Sequence, residues 1–99
     1  MTEQEVKDLY DRVLDLFGHN NQKMMLAEEC GELLSAISKN NRGRVDEDAV
    51  VTELADVAIM IEQMAMIFGW EEVKAEKERK LERLKERIDD YDGISRRGY

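Results

Sequence analysis

The sequence predicts an all-α chain of four helices, and three observations carry that expectation. There is no proline in the 99 residues, so nothing forbids long helices. Turn signals are few and well separated, as suits helices joined by short loops. Between them, apolar residues recur three and four apart, the period of a helix face.

The first helix is expected from about Glu3 to Phe17. Thr2 and Glu5 form a capping-box signature at its start. Val6, Leu9, Tyr10, Val13, Leu14 and Phe17 fall on one face. Gly18-His19-Asn20-Asn21 then reads as a break. The second helix is expected from about Gln22 to Lys39, with Met25, Leu26, Leu33, Ala36 and Ile37 on its apolar side. Asn40-Asn41-Arg42-Gly43 ends it, a composition suited to a left-handed C-cap. The third helix is expected from about Asp46 to Phe68, with Asp46 as its N-cap. From Val57 to Phe68 it is apolar on nearly every face, the pattern of a helix buried all round. A domain this small lacks the interior to cover it, so an obligate oligomer is expected. The fourth helix is expected from about Trp70 to Tyr91, with Val73, Leu81, Leu84, Ile88 and Tyr91 as a narrow apolar stripe. Its other faces are charged and offer pairs such as Glu76 with Lys80. A single domain is expected over 1–99, helical to residue 91 with a flexible tail over 92–99.

Composition narrows the function. A chain of this size buries roughly 60–70% of its unfolded surface, enough for one modest core. The net charge of −8 argues against a nucleic-acid binder, which needs a basic footprint, and against anionic membrane surfaces. It leaves room for an anionic small substrate, because a bound divalent cation reverses the sign of a local site. Cys30 is the only cysteine, a usage that fits a reducing compartment. No stretch reads as a signal peptide. The apolar run from Val50 is interrupted by Glu53, Asp56 and Glu62, which a lipid-facing span would not tolerate. A cytoplasmic location is expected.

Two groups of carboxylates carry the chemistry: Glu28-Glu29-x-x-Glu32 and Glu53-x-x-Asp56. On a helix, positions three or four apart share a face, so Glu29 and Glu32 point together, as do Glu53 and Asp56. Glu53 and Asp56 lie inside the most apolar stretch of the chain, where ionised carboxylates are costly unless paired or bound to metal. The two helices are joined by about half a dozen residues and are expected to be antiparallel neighbours. Bringing the pairs level needs an axial offset between them. Four carboxylates within ~4 Å of one another would repel by roughly 4 kcal/mol per pair at an effective dielectric of 20, so a counter-charge is required. Oxygen-only ligands suit a hard cation, Mg²⁺ first and Mn²⁺ as a substitute. Mg²⁺ usually completes its shell with water and substrate phosphates, which points to phosphate-ester or anhydride chemistry. With 23 acidic residues, a Glu-x-x-Glu pattern alone is ordinary; Glu78/Glu82 is such a solvated pair. The apolar setting of Glu53/Asp56, and Leu33-Leu34 after Glu32, set the two groups apart.

Leu26-Ala27-Glu28-Glu29-Cys30-Gly31-Glu32-Leu33, followed by Glu53-Leu54-Ala55-Asp56-Val57, resembles the EExxE…ExxD signature of the MazG-like all-α nucleoside triphosphate pyrophosphohydrolases. The resemblance covers the two central helices, about half the chain. It implies a four-helix MazG-like bundle that assembles as a homodimer or homotetramer. It implies Mg²⁺-dependent cleavage of an NTP or dNTP between the α and β phosphates, giving NMP and pyrophosphate. Glu29, Glu32, Glu53 and Asp56 match the family's metal ligands. Glu28 matches the first Glu of the motif, which would orient or deprotonate the attacking water. Which nucleotide is cleaved does not follow from the motif.

Other residues have a functional and an ordinary reading. Lys77, Lys80 and Arg83 lie near one face of the fourth helix, as a phosphate clamp or as a solvated, salt-bridged face. Asn21, Gln22 and Lys23 open the second helix, where a nucleobase would be within reach. Phe17 and Trp70 read as core or interface residues rather than stacking platforms. His19 reads as a loop residue, and without Glu-x-x-His pairs it cannot build a di-iron carboxylate site. Cys30 has no nearby His and reads as a small buried residue rather than a nucleophile. The alternative function is a non-enzymatic acidic helical interaction or regulatory module, consistent with the charge and the apolar third helix.

Overall fold

The computed structural model describes residues 1–96. Four helices follow one another: α1 (Glu3–Phe17), α2 (His19–Asn41), α3 (Glu47–Phe68) and α4 (Trp70–Arg96). No strand occurs among the described residues. The chain divides into two compact units, Met1–Phe68 and Gly69–Tyr99.

In the first unit, the predicted capping box is present at α1. The Glu5 backbone N–H donates to Thr2 Oγ1 at 3.1 Å, and the Thr2 N–H donates to Glu5 Oε1 at 3.3 Å. Two of the helix's orphan donors are thereby satisfied. The break after α1 is shorter than the sequence suggests. Gly18 alone leaves helical geometry, with φ 87° and ψ 150°. His19, Asn20 and Asn21 already belong to the first turn of α2. Asn21 Nδ2 donates to the Phe17 carbonyl at 2.8 Å, so a residue that reads as loop serves as a clasp across the break.

The α2 terminus is a Schellman motif. Gly43 has φ 71°, its N–H donates to Asn40 O at 2.9 Å, and the Arg44 N–H donates to Lys39 O at 2.8 Å. These bonds satisfy carbonyls that the helix end would strand. Asn40 Nδ2 also ties the loop by donating to Val45 O at 3.2 Å. Asp46 caps α3 as predicted, accepting from the Ala49 N–H at 3.1 Å.

The core of this unit is narrow. Tyr10 and Leu14 of α1 and Val57, Met60 and Ala65 of α3 are its buried apolar residues. Leu26, Leu33 and Ala36 of α2 are half-buried, whereas Met25 and Ile37, expected on the same side, are more exposed. Two polar contacts fix the helices. Tyr10 Oη donates to Glu62 Oε2 at 3.0 Å, joining α1 to α3. Gln22 Nε2 donates to Gln63 Oε1 at 2.6 Å, joining α2 to α3 in a buried seam. Only part of α3's apolar surface is used: Ile59 and Ile61 stay about half exposed and Phe68 more so.

The second unit is α4. The Val73 N–H donates to Gly69 O at 3.0 Å as the helix begins. Glu71 and Glu72 lie in its first turn, where negative charge complements the helix dipole. Glu76 pairs with Arg79, one turn along, and that pair takes the place of the expected Glu76–Lys80 contact. Lys85 Nζ meets Asp89 Oδ2 at 2.7 Å, which raises the Lys85 pKa. The helix continues past the expected boundary at Tyr91, through residues 92–96. The end of the expected tail, 97–99, lies outside the described residues. Among the described residues, no helix is long and apolar enough to cross a membrane.

Candidate metal centre

The offset that the carboxylates require is built into the lengths of α2 and α3. Glu29 lies farther from the end of α2 than Glu53 lies from the start of α3. The connection between the helices takes up the difference, since extended chain spans up to roughly 3.5 Å per residue. The antiparallel register then repeats along the seam. Moving seven residues back along α2, from Glu29 to Gln22, matches moving seven forward along α3, from Asp56 to Gln63. Seven residues is close to two helical turns, so the buried amide pair and the carboxylates lie on the same facing sides.

Glu29, Glu53 and Asp56 converge. Each offers one carboxylate oxygen, and these oxygens all lie within 4.8 Å of one another. Glu29 and Glu53 are half-buried and Asp56 is exposed, so the cluster is closed on the helix side and open on the other. Among the described residues, Glu29 Oε2 and Glu53 Oε2 are the buried side-chain oxygens with no hydrogen-bond partner. A buried acceptor without a donor is costly. Burial first, then the charges of Glu32, Asp56 and Glu53, hold the Glu29 carboxyl above its ordinary range. Burial, then Glu32 and Asp56, does the same to Glu53. With both ionised, neither can donate, and the pair has only like charges around it. A divalent cation would supply what each oxygen lacks, and an all-oxygen donor set fits a hard ion. On chemistry and geometry, the residues present suit such an ion.

Glu32 is exposed and stands outside the group of three, yet its charge is the strongest neighbouring influence on both half-buried carboxyls. Glu28 is exposed and lines a groove with Phe17, Asn21, Gln22, Met24 and Met25. Asn21 is held to Phe17, as described above. Lys23 Nζ lies 4.9 Å from the centroid of the Phe68 ring, a cation–π distance that ties the start of α2 to the end of α3. Lys77, Lys80 and Arg83 are exposed on α4. Phe17 is not a core residue: it is 54% exposed. His19 is the first residue of α2 rather than a loop residue.

Sequence reasoning left two positions without a role. Gln63 is a lone amide in an apolar run, a signal that it needs a partner, but Gln22 stands 41 residues away. Tyr10 reads simply as apolar, and its hydroxyl contact with Glu62 appears only when α1 packs on α3.

The model of the MazG nucleotide pyrophosphohydrolase domain matches residues 17–88. The chain belongs to this family. The MazG match spans α2 and α3, and with them Glu28, Glu29, Glu32, Glu53 and Asp56. No curated protein and no solved structure shows a significant match to the chain. Membership of the MazG family agrees with the all-helical fold and with an acidic cluster able to bind metal.

Proposed function

We propose that the chain is a nucleotide pyrophosphohydrolase that cleaves an NTP or dNTP between its α and β phosphates. The observation that carries this is the pair of buried, unpartnered oxygens on Glu29 and Glu53, two half-buried residues that cluster with Asp56. Glu29, Glu32, Glu53 and Asp56 would hold Mg²⁺, with Mn²⁺ as a substitute. When bound, the ion neutralises phosphate charge and polarises a phosphoryl oxygen.

The chain's own residues do the rest. Glu28 adjoins Glu29 and is exposed, so its carboxylate is free to orient a water and accept its proton. The water oxygen forms a new bond to the α phosphorus. The bond from that phosphorus to the α–β bridging oxygen breaks, and pyrophosphate leaves with the electron pair. The Gln22–Gln63 bond and the Tyr10–Glu62 bond hold the helices that carry these carboxylates.

The direct test is incubation of the purified chain with Mg²⁺ and a panel of NTPs and dNTPs. NMP and pyrophosphate are expected from at least one. Their absence from all, with active controls, overturns the proposal. Glu53→Gln is expected to abolish turnover while leaving helix content intact.

The proposal extends to a homodimer or homotetramer. Ile59, Ile61 and Phe68 leave apolar area on α3 that a second copy would bury. Sedimentation velocity at micromolar concentration tests this, and a purely monomeric boundary counts against it.

A further inference from the structure

α1 and α4 carry one pattern with opposite charge. On α1, Asp8-Leu9 recurs seven residues later as Asp15-Leu16. On α4, Lys80-Leu81 recurs seven residues later as Arg87-Ile88. Seven residues is close to two helical turns, so each helix bears an apolar line with like charges along one edge. Val13 adds to the first line and Leu84 to the second.

Both lines are open. Leu9 and Leu16 wall a groove of about 580 Å³ with Arg12, Val13 and Asp15, and Leu16 is 75% exposed. The core takes Tyr10 and Leu14 from α1, which leaves this second face unclaimed. Leu81 and Leu84 wall a groove of about 490 Å³ on α4. Ile88 continues that line and is 58% exposed. Contiguous exposed apolar area of this kind marks a contact surface.

Charge decides what can cover the α4 line. Lys77, Lys80, Arg83 and Arg87 follow it turn by turn and are exposed. Glu82, Glu86 and Asp89 fall on the opposite side of the helix. Glu76, which also lines the groove, is paired with Arg79. Two α4 helices laid face to face would set cation against cation, so the fitting partner is acidic as well as apolar. The chain itself supplies one. Gly69–Tyr99 has nine acidic and nine basic residues, so the net charge of −8 resides in Met1–Phe68. α1 holds Glu3, Glu5, Asp8, Asp11 and Asp15 against Lys7 and Arg12.

We infer that the Leu9–Leu16 line of α1 receives the Leu81–Ile88 line of α4 from a second copy of the chain. Asp8 and Asp15 meet Lys80 and Arg87 along the edge, where charges beside an apolar seam set the choice of partner. The exchange is reciprocal, and two such contacts close a two-fold dimer. This surface is separate from Ile59, Ile61 and Phe68 of α3, and it does not depend on the pyrophosphohydrolase proposal.

Charge reversal tests the pairing, with no turnover in the readout. Full chains carrying Lys80→Glu/Arg87→Glu, and others carrying Asp8→Lys/Asp15→Lys, are compared with wild type by sedimentation velocity at micromolar concentration and low salt. Each double variant alone is expected to sediment at half the wild-type mass, its association weakened about a hundredfold or more. All four residues are exposed, so helix content by circular dichroism should match wild type. An equal mixture of the two variants is expected to regain the wild-type mass. One contact then joins the two reversed edges, and the other joins the two native ones. A mass that neither variant changes, or a loss that mixing does not restore, overturns the inference. Stronger association of Lys80→Glu/Arg87→Glu by itself overturns it in favour of α4 pairing with α4. Wild-type chain that sediments with phosphatidylserine vesicles, and ceases to in that variant, overturns it in favour of a lipid surface.

Discussion

Gln22 Nε2 donates to Gln63 Oε1 across 2.6 Å in the buried seam between α2 and α3. The pair lies two turns along that seam from Glu29 and Asp56, so it sets the register in which the carboxylates meet. Both side chains are more than nine-tenths buried. Gln22→Leu leaves the Gln63 amide with no partner, at a cost of about 1–3 kcal/mol. Gln22→Leu/Gln63→Leu removes both polar groups and should recover much of that loss. A double-mutant cycle of urea unfolding measures the coupling. Additive losses would show that the bond does not hold the seam.

Glu53→Gln should have opposite effects on stability and on metal binding. Without a cation, the Glu53 carboxylate is half-buried among Glu29, Glu32 and Asp56. An amide there removes a like charge and adds an N–H donor for the unpartnered Glu29 oxygen. The melting temperature in chelator is expected to rise above wild type. The increase that Mg²⁺ or Mn²⁺ gives the wild type through linkage should vanish. Thermal melts with and without the cation read both effects, and a variant destabilised in chelator would contradict the electrostatic account.

The ends of α1 and the faces of Glu29, Glu53 and Asp56 were legible because local rules govern them. A Thr2–Glu5 capping box and a spacing of three residues need no tertiary information. The start of α2 was not legible. His19, Asn20 and Asn21 carry turn propensity, but Gly18 makes the whole turn and the Asn21 amide clasps Phe17 O. Nor was the extent of α4, which runs through Gly93 although glycine weakens a helix interior. The offset between α2 and α3 depends on packing, which no local pattern reports. Gln63 shows how tertiary structure overrides composition: a polar residue is among the most buried because its partner is too.

Tyr10 predicts a pH effect. Burial, then the hydrogen bond to Glu62 and the Glu62 charge, push its pKa up to about 12 from 10.0. The folded value lies above the unfolded one. The stabilisation is therefore fully present below pH 10 and is lost as pH rises through about 12. Within that window the unfolded chain releases the phenolic proton first, and stability falls by at most about 1.4 kcal/mol per pH unit from this group. Tyr10→Phe should be less stable than wild type at neutral pH by about 1 kcal/mol, and the difference should shrink between pH 10 and 12. Denaturation midpoints across that range decide it; lysine titration affects both proteins and cancels in the comparison. A difference that stays constant with pH would show that the phenol does not titrate there.

Two glycines of α2 and its border should respond to alanine with opposite signs. Gly18 has φ 87° and ψ 150°, a region that only glycine adopts readily. A Cβ at Gly18 would meet nothing within 4 Å, so the penalty is backbone strain rather than collision. Gly18→Ala is expected to cost about 1–3 kcal/mol. Gly31 lies inside α2 between Glu29 and Glu32, and a Cβ there also meets nothing within 4 Å. Gly31→Ala is expected to stabilise by about 0.5–1 kcal/mol through helix propensity. Urea unfolding of the two variants provides a matched test. If Gly18→Ala proved as stable as wild type, the turn would not need its glycine conformation, and the placement of Phe17 would have to rest on the Asn21 clasp alone.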